Sequence, residues 1–177
     1  SDLTIKKIYN AKESEIYIEN PMLSPDGTKL TGTDFSIGQN VIVYDLESKE
    51  KQLITNNDWG DTEGSGWTFY NCWSPDGKQI AYEFSDWNKG KSALHEIRIS
   101  TLDGEKRTLA VNECKTGEFI PQQWSKDGKN ILAFVQDSSG YFTISLVSVV
   151  DGSVTPLHKT QWNETFIFGG ASLSPDG

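Results

Sequence analysis

Few residues in this chain have the types and spacing that covalent chemistry needs. His95 and His158 are the only histidines, and no Gly-x-Ser-x-Gly elbow frames a serine. His95 opens the alternating run His95-Glu96-Ile97-Arg98-Ile99-Ser100, whose period of two is that of a strand. Both histidines therefore read as structural or exposed rather than as a general base. Asp58, Asp61 and Glu63 could gather oxygens around a calcium ion, but their spacing is not that of a calcium-binding loop, and solvated loop acids are the plainer reading. Gly90-Lys91-Ser92 ends like a phosphate-binding loop, yet Ser85 stands where the first glycine belongs and strands flank it on both sides. Cys72 and Cys114 lack the close spacing of a zinc or redox pair; two unpaired thiols is the simpler reading and a disulfide the other. The expectation is no enzyme activity in this chain, no metal and no cofactor.

Recognition chemistry is better supplied. Tryptophan, asparagine and aspartate gather in three stretches, 56–67, 85–91 and 159–163, and loops of that composition make recognition surfaces. Trp59, Asp61, Trp67, Trp87, Asn88 and Trp162 are the candidate binding residues: large aromatic anchors beside adaptable hydrogen-bonding groups. The same tryptophans would serve equally well as filling between packed sheets.

What must position these loops is a repeat. Leu23-Ser24-Pro25-Asp26-Gly27, Trp73-Ser74-Pro75-Asp76-Gly77, Trp124-Ser125-Lys126-Asp127-Gly128 and Leu173-Ser174-Pro175-Asp176-Gly177 recur with their glycines 50, 51 and 49 residues apart. Proline presets φ, aspartate bonds nearby backbone and glycine accepts a positive φ, so each motif specifies a tight hairpin turn after an apolar strand end. A second strand follows each of the first three turns, at 29–33, 79–84 and 130–135, and a third at 41–45, 95–100 and 143–149. Turns at Glu47-Ser48, Asp103-Gly104 and Asp151-Gly152 lead to fourth strands around Leu53, Leu109 and Leu157, the last carrying Pro156 as an edge strand can. The reading is all-β: a β-propeller of four-stranded antiparallel blades, each burying its faces against the next. In such a meander the Ser-Pro-Asp-Gly and Asp-Gly turns share one end, and the long loops lie at the other.

The Ser-Pro-Asp-Gly turn, preceded by Trp or Leu and followed by a later Asp-Gly turn, resembles the repeat of TolB-like propellers over three copies and the start of a fourth. The third copy departs in having Lys126 for proline, the first in having Leu23 for tryptophan. The resemblance implies a non-enzymatic binding or scaffolding module that engages a protein, peptide or small ligand through its long-loop face or channel, and a bacterial envelope setting, periplasmic or secreted, with the cytoplasm left open. Similar repeats also precede the hydrolase domain of prolyl oligopeptidase relatives, so the alternative is a substrate-gating propeller whose catalytic domain lies beyond this chain.

Charge and length narrow the partners. The net charge is -9 and the pI about 4.7, with no basic cluster, which disfavours nucleic acid and anionic membrane. The longest apolar stretch, 144–150, is far short of the ~20 residues of a membrane helix, so no membrane insertion is expected. Residues 1–5 lack the look of a signal peptide, which a mature chain would have lost, so they leave the compartment open. The expected organisation is one partial propeller domain over 1–177: an outer strand of a preceding blade at 1–12, blades at 13–57, 58–112 and 113–160, and the start of another at 161–177. About three whole blades with part-blades at both ends is a fragment of a larger ring, or a chain whose open blade edges pair with a second copy.

Overall fold

The computed structural model describes residues 17–57, 66–86, 94–112, 117–160 and 170–174. The expected outer strand at 1–12, the candidates Trp59, Asp61, Trp87, Asn88 and Trp162, the acids Asp58 and Glu63, Cys114, and Pro175, Asp176 and Gly177 lie outside them.

Each described Ser-Pro-Asp-Gly turn is closed by the same hydrogen bonds, and these fix where strands begin. The Ser24, Ser74 and Ser125 hydroxyls donate to Asp26, Asp76 and Asp127 at 2.6, 2.7 and 2.7 Å and accept the amides of Lys29, Gln79 and Asn130 at 2.9 Å. The aspartates also take the amides of Thr28, Lys78 and Lys129 at 3.0 to 3.1 Å. Gly27, Gly77 and Gly128 sit at φ 74°, 68° and 75°, a region closed to most side chains.

Around these turns the strands run β1 (Ile18–Leu23), β2 (Lys29–Asp34), β3 (Asn40–Asp45), β4 (Lys51–Leu53), β5 (Gly66–Trp67), β6 (Asn71–Trp73), β7 (Gln79–Asp86), β8 (Leu94–Thr101), β9 (Lys106–Val111), β10 (Phe119–Trp124), β11 (Asn130–Gln136), β12 (Phe142–Ser148) and β13 (Val154–Lys159), with one 3-10 turn at Phe35–Ile37. They form three antiparallel meanders, β1-β2-β3-β4, β5/β6-β7-β8-β9 and β10-β11-β12-β13. In the middle sheet β6 pairs with Ile80–Tyr82, and β5 extends the same edge onto Ser85 and Asp86. The sequence reading ended the second strand at Phe84 and placed Ser85 and Trp67 in loops; in the structure β7 runs on to Asp86, with Ser85 and Asp86 paired to β8 on one side and to β5 on the other.

Alternation along β7 shows why the sheets stack. Ile80, Tyr82 and Phe84 pack with Trp73 against Val41, Val43 and Ile54 of the first sheet. Ala81, between them, faces the other way, joining Cys72, Ile97 and Leu109 in a cluster with Phe119, Trp124, Ile131 and Val147 of the third. A sheet apolar on both faces has to be sandwiched. Polar latches cross the same seams: the Trp73 indole N–H donates to the Met22 carbonyl at 3.0 Å, Gln52 to Leu102 at 2.5 Å and Arg107 to Val149 at 2.7 Å. The last two come from corresponding positions of β4 and β9, so successive seams repeat, which is the propeller arrangement.

Candidate functional site

The two families of short turns share one end of the blades, with the Leu46 amide on the Thr28 carbonyl at 3.0 Å and the Val149 amide on Lys129 at 2.8 Å. There the first strands β1, β6 and β10 lie side by side, and the segment 171–174 continues the series, its Leu173 amide held by Gln123 at 2.7 Å. They enclose a cavity of about 490 Å³ lined by Met22, Leu23, Trp73, Gln122, Lys126 and Leu173 among others. Met22 and Leu23 are 41% and 46% exposed at its mouth. A second hollow of about 380 Å³ lies between the second and third turns, and Lys126, where the other turns have proline, lines both. Apolar side chains beside the Gln122 amide and the Lys126 cation suit a short run of mixed side chains.

At the opposite end, between the second and third sheets, lies a buried polar cluster. The Ser85 hydroxyl is 2.9 Å from His95 Nδ1, and Glu83 Oε1 is 3.4 Å from both. Glu83, Ser85 and His95 project from one face because Ser85 pairs with His95 across β7 and β8 and Glu83 is two residues earlier. All three are buried. The arrangement is not a nucleophile triad, since the hydroxyl and the carboxylate approach the same ring nitrogen instead of opposite ones. With the proton on Nδ1, His95 donates to Ser85 and Ser85 to Glu83, and the chain is satisfied.

Glu118, immediately before β10, lies within electrostatic reach of this group. Burial pushes its carboxyl up to about 7, the negative charge of Glu83 adds to the rise, and a charged His95 opposes it. Tyr70 rises to about 12, first through burial and then through Glu118 and Glu83. The backbone here is clamped: the Asn112 side-chain Nδ2 donates to the carbonyls of Gly117, Glu118 and Gln136 at 2.9, 3.2 and 3.0 Å, and a Cβ on Gly117 would overlap the Gln136 carbonyl. Sequence reasoning missed Glu83 and Glu118 because each is a single acid in a separate strand; only His95 stood out, and the structure buries it.

Of the candidate binding residues only Trp67 is described, half-buried in β5. Gly66 beside it lets β5 lie tight on β7, where a Cβ would overlap the Phe84 ring. Among the described residues no group of three or more His, Cys, Asp or Glu could hold a metal ion, and no helix is long and apolar enough to cross a membrane.

No family model matches the chain, and no curated protein does. Solved structures do. TolB from Acinetobacter baumannii matches at 24% identity and a TM-score of 0.55, over 84% of this chain and 34% of that one. A TolB from Agrobacterium tumefaciens matches at 22% and 0.59, over 78% and 45%. A prolyl endopeptidase matches at 17% and 0.61, over 82% and 22%. The chain thus spans less than half of each of these proteins. Stacked four-stranded sheets, repeating Ser-Pro-Asp-Gly turns and likeness to both TolB structures together make this chain part of a β-propeller of the TolB-like fold.

Proposed function

We propose that the chain is part of a non-catalytic binding propeller whose short-turn mouth holds a peptide segment of a partner protein. The observation that carries this reading is the cavity of about 490 Å³ where Met22 and Leu23 stay exposed beside Gln122 and Lys126. Exposed apolar side chains converging on a concave mouth mark an interaction site more than a surface left to solvent. The TolB-like resemblance supports a scaffolding role in the bacterial envelope. A library of fluorescein-labelled pentapeptides, read by anisotropy, tests the reading. Selected peptides should bind Leu23→Asp about tenfold more weakly while its thermal melt stays unchanged; equal binding to both proteins would remove the mouth from consideration.

The likeness to a prolyl endopeptidase favours a second reading, in which the ring gates substrate entry to a hydrolase domain elsewhere in the parent protein. A Gly-x-Ser-x-Gly segment following the last blade in the parent gene would select it, and the absence of any hydrolase domain there would remove it.

A further inference from the structure

In each of the three sheets the first strand carries one residue more than the strand it pairs with. In the first sheet Asn20 and Pro21 face Gly32 alone, and in the third Gln122 is the extra residue between the pairs Pro121 with Ala133 and Gln123 with Leu132. Both bulges lie three or four residues before a turn serine, Ser24 or Ser125. The corresponding residue of the second sheet is Asn71, three before Ser74, yet there the bulge lies elsewhere. Asn71 pairs with Tyr82, and the Tyr70 carbonyl takes the Glu83 amide at 3.0 Å, so Thr68 and Phe69 together face Phe84.

This displaced bulge is held from outside its own sheet, and at a cost. The Thr68 amide and hydroxyl donate to the Gln39 carbonyl at 3.4 and 2.8 Å, while the Phe69 carbonyl accepts Asn20 Nδ2 at 3.1 Å and the Thr33 hydroxyl at 3.2 Å. Asn20 and Gln39 are two of the three non-glycine residues at positive φ among the described residues, at 48° and 52°. Side chains enter that region only where their surroundings force them. Asn71 is 5% exposed, and among the described residues neither its Nδ2 nor its Oδ1 has a hydrogen-bond partner, an unfavourable state for a buried amide. Moving the bulge to Asn71 would relieve all three. Asn20 and Gln39 would be released, and Asn71 would leave its buried place for the position of the half-buried Gln122, whose Oε1 accepts the Ala171 amide at 3.4 Å.

We propose that the first strand of the second sheet is a two-position register switch, its extra residue shifting between Thr68–Phe69, gripped by the first sheet, and Asn71, the position its neighbours use. A one-residue shift turns each side chain to the other face. Phe69, edge-on to Phe35 with ring centroids 5.8 Å apart, and Tyr70, packed on the cluster of Ile120, Phe134 and Phe142, would exchange sides. The switch is also tied to the long connection between the sheets, because the Gln39 carbonyl that holds Thr68 accepts Asn57 Nδ2 at 3.1 Å. A ligand that favours one arrangement of that connection would bias the register.

NMR relaxation dispersion on the whole chain reads the switch. The amides of Thr68, Phe69, Tyr70 and Asn71 should show millisecond exchange with a minor register populated at roughly 1 to 10%, while those of Phe119 and Ile120 in the third sheet stay flat. Asn71→Leu places an apolar side chain in the same buried site and should lock the present register, lowering the minor population at least threefold. Flat profiles at residues 68–71 of the unaltered chain, or a smaller fall in Asn71→Leu, would overturn the proposal. Should that variant fail to fold, Gln39→Gly decides, since it removes the left-handed side chain and keeps the carbonyl: the minor population should fall about threefold, and an unchanged population refutes the switch.

Discussion

The hydroxyls of Ser24, Ser74 and Ser125 each hold an aspartate, and that contact is the first cause of the lowered pKa of Asp26, Asp76 and Asp127. A depressed carboxyl stabilises the fold above its unfolded pKa, and the contribution is lost as pH falls through the folded value. Asp76→Asn should therefore flatten the acid limb of a urea-midpoint profile below the ordinary aspartate pKa of about 4. Lys126 and Lys49 stand where the repeat has other residues, and each gives a substitution with a definite sign. Lys126 occupies the proline position in a turn closed like the others, Gly128 to Ser125 at 2.9 Å. Lys126→Pro should stabilise by about 0.4 to 1 kcal/mol through the unfolded chain, seen as a higher midpoint at unchanged slope. Lys49 takes φ 65° where the later blades place Gly104 and Gly152, so Lys49→Gly should relieve strain of about 1 kcal/mol, partly offset by glycine's entropy.

Between elements, the seams separate backbone strain from packing. Gly104 and Gly152 both end third-strand turns at positive φ, 95° and 73°. A Cβ on Gly104 meets nothing within 4 Å, whereas one on Gly152 would fall on the Leu109 carbonyl of the neighbouring sheet. Gly104→Ala should cost about 1 kcal/mol, and Gly152→Ala a further 1 to 3 kcal/mol by prying the seam apart, both measured by urea unfolding. The same distinction explains what was legible beforehand. The turns and strands could be read because Ser-Pro-Asp-Gly and the period of two are local signals. The pairing of Trp67 with Ser85, and the meeting of Glu83 with Ser85 and His95, arise only when the strands of the middle sheet settle into register, and no spacing in the sequence encodes that register. The cavity was half legible: the channel followed from the fold, but Met22 and Leu23 looked like ordinary strand ends.

For the molecule as a whole, the third sheet buries Ile120, Phe134 and Phe142 on its outer face, with Ala171 packed against them, and what it leaves open among the described residues is its last strand. Every residue of β13 is exposed, Val154 at 41% and Leu157 at 53%, although β13 is the outermost strand of its sheet. An edge of this kind templates strand addition from another chain. Two features oppose it. Pro156 lies where the register with β12 shifts, interrupting the row of donors, and Lys159 places a charge on the edge while pairing with Asp137 at 2.7 Å. Removing the interruption should therefore convert the edge into a dimer interface. Light scattering across a concentration series should show Pro156→Val associating at protein concentrations at least tenfold lower than the unaltered chain, and Pro156→Val combined with Leu157→Lys returning to the parental profile. If Pro156→Val leaves the mass profile unchanged, strand addition at β13 is not what this open edge supports.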